Sequence, residues 1–334
     1  MERKITLAYG DGGELAHKLI QQIFVSAFGN SGDARFDSAF LSLDKKRIAV
    51  TTDSFVVKPL FFPGGDIGKI AVSGTINDLA VAGAVPLCLT AGFIIEEGFR
   101  LSSLRKIVRS LADEAKKAGV RVVAGDTKVV EKGGADGLYI NTTGIGLQRS
   151  SGGIAPEQIE AGDDVIISGT IGDHGIAILA ARGELGLMTD LKSDCTSLNR
   201  MIDAVIDASC DVKMMRDPTR GGVATTLVEI AEDFGAQIEL SESSLPIRNE
   251  VNGACDILGF DPLYLANEGK VIMIAARRDR DRILEILHRF PEGKKAAVIG
   301  HVTGRGAGHL LLETPLGSRR RLHRLSGMML PRIC

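Results

Sequence analysis

Residues 51–86 read TTDSFVVKPLFFPGGDIGKIAVSGTINDLAVAGAVP. Arg47–Thr52 enters this stretch as an apolar, β-branched run, the pattern of a buried strand, and Asp53 ends it. Pro63, Gly64 and Gly65 then mark a turn, and Gly68–Ala82 carries apolar residues at helical spacing. Leu79–Ile95 is uncharged, but it falls short of the span of about 20 residues that a membrane helix needs, and Gly83 and Pro86 interrupt it. It reads as a helix end, a turn and a buried strand. Strand, helix and strand in succession predict an α/β protein.

The alternation continues in both directions. Leu101–Ala118 has helical spacing, Val120–Ala124 reads as a second buried strand, and Leu138–Leu147 alternates as a strand does. Glycine and proline between Ser150 and Pro156 suggest a domain boundary. Beyond it come a strand at Asp164–Ser168, helices at Asp173–Glu184 and Gly222–Phe234, and a strand at Lys270–Ala276. A helix at Arg280–Phe290 and strands at Ala297–Val302 and His309–Glu313 follow. The 334 residues suit about two domains. The expected division is 1–150, 151–316 and a basic tail at 317–334. That tail, GSRRRLHRLSGMMLPRIC, has five arginines, no acidic residue and no amphipathic period. From Ser318 to Cys334 it could extend about 50 Å.

The 40 Lys+Arg and 42 Asp+Glu residues leave a net charge of −2, which argues against bulk capture of nucleic acid. With 44 % apolar residues, most of the chain should fold. The start, MERKITLAYGDGG, lacks the apolar run of roughly 7–15 residues of a secretory signal, so a cytoplasmic protein away from membranes is expected. Cys88, Cys195, Cys210, Cys255 and Cys334 include no C-x-x-C pair, which argues against a disulfide framework or structural zinc.

No Walker loop is present: Gly68-Lys69 has Pro63 where its first glycine should be and Ile70 where Ser or Thr should be. No G-x-G-x-x-G follows a strand. Instead Asp53, Asp66, Asp78 and Asp126 lie at or near element ends close to glycine clusters, with Lys128 two residues past Asp126. Mg²⁺ takes one or two carboxylates plus phosphate oxygens, and glycine N–H groups cradle the phosphates. Each aspartate taken singly is more often a turn or cap residue, and the coincidence of four with three glycine clusters brings the two readings level. GTIGDHG (169–175) and RDPTRGG (216–222) read as capping and turn chemistry, and His174 as a cap or surface residue. Glu268 in LANEGK is either a buried base at a strand entrance or a β-turn carboxylate.

Together TTDSFVVKPLFFPGGDIGKIAVSGTINDLAVAGAVP, AGDTKVV, INTTGIG, GTIGDHG, RDPTRGG, ANEGK and the ending PRIC resemble the HypE family of hydrogenase maturation factors, almost from end to end. The internal motifs belong to the wider aminoimidazole-ribonucleotide-synthetase-like (PurM-like) superfamily, and PRIC is the specific mark of HypE. The resemblance implies a two-domain α/β homodimer that binds ATP and Mg²⁺ and has a flexible C-terminal tail. It implies that a carbamoyltransferase, HypF, loads Cys334 with a carbamoyl group, which is dehydrated to a thiocyanate. The cyanide then passes to iron on a HypC–HypD scaffold for nickel–iron hydrogenase. Carried to matching positions, Cys334 is the carrier and Glu268 the base. Asp53, Asp66, Asp78 and Asp126 form the nucleotide site, with Asp53, Asp78 and Asp126 on the metal, and Lys128 lies near the phosphates. Gly10, Asp11 and Gly12 in TLAYGDGG correspond to a glycine-rich phosphate loop.

Overall fold

The computed structural model describes residues 13–19, 21–22, 39–43, 46–149, 154–183, 186 and 188–326. Its organising element is the helix Ile67–Val81. Asp66 caps it from extended backbone, Oδ1 accepting the N–H groups of Gly68 and Lys69 at 2.8 and 3.1 Å. Thirteen of its fifteen residues are buried. A helix covered on all sides has no solvent stripe, which is why its apolar pattern is nearly continuous.

One side of this helix rests on a five-stranded sheet. The strands are β1 (Ala39–Leu43), β2 (Lys46–Phe55), β5 (Ala84–Glu96), β6 (Arg121–Val130) and β7 (Leu138–Gln148), in the order β1-β2-β7-β5-β6. Only β5 and β6 run parallel, and the helix Leu101–Ala118 makes their crossover. β3 (Phe61–Phe62) and β4 (Gly65–Asp66) form a small hairpin before the central helix. The apolar run at 120–124 lies in β6, where the expected burial is not found: Arg121–Val129 is exposed. β6 is an edge strand with one neighbour, and an apolar run does not tell an edge from a centre.

The second half forms a seven-stranded sheet. It comprises β8 (Asp164–Ile167), β9 (Val212–Arg216), β10 (Ala236–Ser241), β11 (Ile272–Ala275), β12 (Ala297–Arg305), β13 (His309–Glu313) and β14 (Arg319–Leu322), in the order β14-β13-β10-β12-β8-β11-β9. Val165, Leu227, Ile238, Ile272, Ile299 and Leu310 share its core. The central helix touches this half too, since Ala80 and Val81 pack with Ile166, Leu198 and Met273. Asn77 locks the contact by donating to Thr196 O at 3.1 Å and accepting the Leu198 N–H at 2.8 Å.

The helix expected to reach Glu184 ends at Arg182, because Gly183 takes a left-handed C-cap (φ 70°). Helices Asn199–Asp207 and Asn249–Leu258 and strands β1, β9, β10 and β14 went unread in the sequence. Ordered chain also runs further than the tail boundary at Gly317 suggests. β14 pairs with β13, Arg319 bridges to Glu239 at 2.8 Å, and Arg320 reaches Asp261 at 2.7 Å. Arg319, Arg320 and Arg321 are exposed, as a solvated run requires, and the first two also meet these acidic partners on neighbouring elements. The boundary near Ser150–Pro156 falls partly on residues outside the described ones. No described helix is long and apolar enough to cross a membrane.

Candidate functional site

Where the two halves meet, the C-terminal end of β2, one turn of the central helix and two loops of the second half enclose a small pocket. β2 contributes Asp53, Ser54 and Phe55, and the helix contributes Gly74 and Asp78. Asp217, Thr219 and Arg220 come from the loop after β9, and Glu268 from the turn before β11.

Asp53 and Asp78 line the same pocket and interact with one another. Threonines on the same two elements orient them: Thr75 Oγ1 donates to Asp53 Oδ2 at 3.1 Å, and Thr51 Oγ1 donates to Asp78 Oδ2 at 2.8 Å. Burial pushes the Asp53 carboxyl above its ordinary range, while Thr75, Arg220 and the contact with Asp78 pull it back. Two carboxylates this close need a proton or a cation between them.

Glu268 is 4 % exposed. Burial raises its pKa well above the usual value, and the charges of Asp217, Asp194 and Asp53 add to the rise against a smaller opposing effect of Arg220. Its turn is held from behind. Asp194 Oδ1 accepts the Glu268 N–H at 3.1 Å, and Asp194 Oδ2 takes Lys270 Nζ at 3.0 Å. Asn267 accepts the Gly172 N–H at 2.8 Å and donates to Pro218 O at 3.0 Å, tying the turn to both glycine motifs. A Cβ at Gly269 would lie 1.9 Å from Asp194 O, so only glycine passes there. Glu268 is thus both buried and part of a tied-down turn.

The donor set is hard and anionic, with four carboxylates against one guanidinium in the lining. It fits a hard divalent cation shared with phosphate oxygens. Among the described residues no three His, Cys, Asp or Glu side chains are grouped as a complete metal site.

Asp53, Asp78 and Glu268 are thus brought together. Asp66 is engaged as a helix cap and is absent from the pocket lining. Asp126 and Lys128 sit on the exposed β6, opposite Gly92 and Ile94 of β5, and do not line the pocket either. Gly10, Asp11, Gly12 and Cys334 lie outside the described residues. His174 is no surface residue: it is fully buried, its Nδ1 lies 2.8 Å from Ser193 Oγ, and Phe62 meets it edge-on. Burial lowers its pKa to about 4. Asp217, Thr219 and Arg220 belong to a motif read as capping chemistry, yet the helix behind them is capped by Gly221 without any side chain. Asp194 lies in SDCTS (193–197), a polar loop-type cluster that does not by itself mark a site.

The chain matches the family models for the AIR synthase related protein, N-terminal domain at residues 36–148 and C-terminal domain at 160–313. Carbamoyl dehydratase HypE of Rhodobacter capsulatus is 46% identical over 336 residues, covering 100% of this chain and 99% of that protein. Among solved structures, a HypE–HypF complex aligns with a TM-score of 0.86 at 47% identity, over 92% of this chain and 99% of that one. A hydrogenase maturation protein HypE in complex with ATP aligns with a TM-score of 0.83 at 43% identity, over 99% and 100%.

Proposed function

Because this chain belongs to the HypE carbamoyl dehydratases of the AIR-synthase-related family, we propose that it converts an S-carbamoyl group on Cys334 into a thiocyanate at the expense of ATP. The product supplies cyanide for the iron of nickel–iron hydrogenase. The observation that carries the reading is Glu268, a buried carboxyl of raised pKa in one pocket with the Asp53–Asp78 pair.

A carboxamide loses water reluctantly because its oxygen is a poor leaving group; ATP with Mg²⁺ supplies the phosphoryl group that makes it a good one. The chain's residues position and move protons. Asp53 and Asp78 would hold the metal, and Asp126 is the third carboxylate the resemblance assigns. The resemblance assigns Lys128 and the glycine-rich stretch Gly10, Asp11 and Gly12 to the phosphates. Glu268 takes a proton from the carboxamide nitrogen, and its raised basicity suits that task. Bringing the substrate on the protein's own thiol makes the encounter intramolecular.

A relative solved with HypF supports HypF as the carbamoyl donor here, with the HypC–HypD scaffold as acceptor. A cytoplasmic homodimer is the assembly we favour. β6 offers ten residues of edge strand, with Val122, Val123 and Val129 exposed, and an uncovered edge of that kind invites pairing with a second copy. Pairing there would also carry Asp126 and Lys128 toward a nucleotide site.

The test is the mass of the C-terminal peptide. A carbamoyl donor system should add about 43 Da at Cys334, and ATP should then remove about 18 Da. Mass gain without any ATP-dependent loss would reduce the chain to a thiol carrier, and ATP turnover unaffected by Cys334→Ala would point to a diffusible substrate.

A further inference from the structure

A second and larger cavity, of about 740 Å³, opens beside the turn that carries Glu268. It shares no lining residue with the Asp53–Asp78 pocket. Its volume lies within the range of roughly 300–1,000 Å³ that small-molecule sites occupy. In a chain whose net charge is −2, seven basic side chains line it against three acidic ones.

Two of those three carboxylates are already paired: Asp194 with Lys270 at 3.0 Å, and Asp173 with Arg248 at 3.1 Å. Lys117 Nζ is engaged by Thr196 Oγ1 at 2.6 Å. The side chains of Lys192, Arg200, Lys294 and Lys295 are exposed and have no hydrogen-bond or ion-pair partner among the described residues. Glu292 is the one lining carboxylate left to balance these four cations. They come from three separate places: Lys192 from the loop before Asp194, Arg200 from the first turn of the helix Asn199–Asp207, and Lys294 and Lys295 from the turn after Pro291–Gly293. Gathering like charges in one concavity costs stability through their mutual repulsion, and an anion seated among them removes that cost. The backbone adds the same sign. No side chain caps the helix Asn199–Asp207, and its first two residues line the cavity, so the positive end of its dipole lies at the wall. Gly169 keeps the wall close: a Cβ there would lie 2.9 Å from Lys270 Cε and 3.0 Å from Glu292 O.

We propose that this cavity is an anion site for a small phosphorylated compound, separate from the nucleotide pocket. A phosphate group carries close to two charges and three strong acceptor oxygens, which matches cations arriving from three segments. A carboxylate, with one charge and two oxygens in a plane, would leave most of them unmatched. The inference stands independently of the other pocket being the ATP site.

The test is calorimetric titration of the full chain, freed of divalent cations, with inorganic phosphate and with ribose 5-phosphate at about 0.15 M salt. At least one of the two should bind once per chain with a Kd below about 1 mM. The double variant Lys192→Glu/Lys294→Glu, altered only at exposed positions, should bind at least tenfold more weakly. Arg200→Gln, on the third segment, should bind at least threefold more weakly. Arg220→Gln, which removes the cation of the other pocket, should bind within twofold of the native chain. Failure of both probes to bind would overturn the proposal. So would a loss in Arg220→Gln as large as in the double variant, which would seat the anion in the Asp53–Asp78 pocket. Capture of a polyglutamate peptide through the same lysines, with neither phosphate probe bound, would make the cavity a protein-docking surface and overturn the proposal as well.

Discussion

Asp194 and Lys270 face each other at 3.0 Å with side chains only 4% and 6% exposed. The pair stands directly behind Glu268, whose N–H is bonded to the other oxygen of Asp194. Asp194→Asn leaves the Lys270 ammonium buried without a counter-charge, and breaking a buried pair from one side costs about 3–5 kcal/mol. Denaturant unfolding should show the loss as a lower midpoint at unchanged slope. An unshifted midpoint would mean that water reaches Lys270.

Glu268→Gln should retain carbamoyl loading and slow dehydration by about 10²–10⁴-fold, the usual contribution of a positioned general base. It should also change stability in a pH-dependent direction. A carboxyl whose pKa is raised in the folded state holds its proton more tightly there than in the unfolded chain. Stability is therefore lost as pH rises from about 4.5 toward the folded value. Glutamine escapes that loss, so the variant should be more stable than the native protein at neutral pH, with the gain vanishing below pH 4.5. Equal single-turnover rates for the two proteins would return Glu268 to a turn role.

His174 gives the opposite slope. Fully buried and lowered from 6.5 to about 4, it stays neutral in the fold while the unfolded chain takes up a proton below pH 6.5. The fold should lose about 3 kcal/mol between pH 6.5 and 4 on this account. His174→Gln, which keeps a polar group toward Ser193, should flatten that part of the profile. Identical pH profiles for variant and native protein would mean that the ring is already charged in the fold.

Much of the site was legible because its residues punctuate regular elements. Asp53 breaks the apolar run of β2 two residues before the strand ends at Phe55, Asp78 interrupts an apolar helix, and Glu268 precedes a buried run, so each departs from a local pattern. Asp217, Thr219 and Arg220 were not legible as pocket residues, because an aspartate, a threonine and glycines before a helix are also what capping demands. His174 escaped for a related reason: a histidine at a helix start looks like a cap until the sheet beyond it is known. β14 was hidden by its charge. Its three arginines are exposed, as RRR suggests, but the partners that place Arg319 and Arg320, Glu239 and Asp261, are far away in sequence. The exposure of β6 is likewise set by its place at the edge of the sheet, which composition does not encode.

Asp78→Asn separates a metal role from a structural one. An asparagine at 78 keeps an oxygen for the Thr51 hydroxyl and a hydrogen-bonding group toward Asp53, so the apo variant should melt close to the native temperature. Mg-ATP affinity should nonetheless fall at least tenfold, because an amide oxygen is a poorer ligand for a hard cation than a carboxylate. Asp126→Asn is the contrast, since that side chain lies on exposed β6 and outside the pocket lining of its own chain. Calorimetry on both variants decides between two arrangements. If only Asp78→Asn weakens binding, the metal shell belongs to β2 and the central helix. If both weaken it equally, β6 must reach the pocket through a second copy of the chain, and the Asp126→Asn loss should then grow with dilution as the copies separate. Unchanged affinity in Asp78→Asn would remove the aspartate pair from the metal shell altogether.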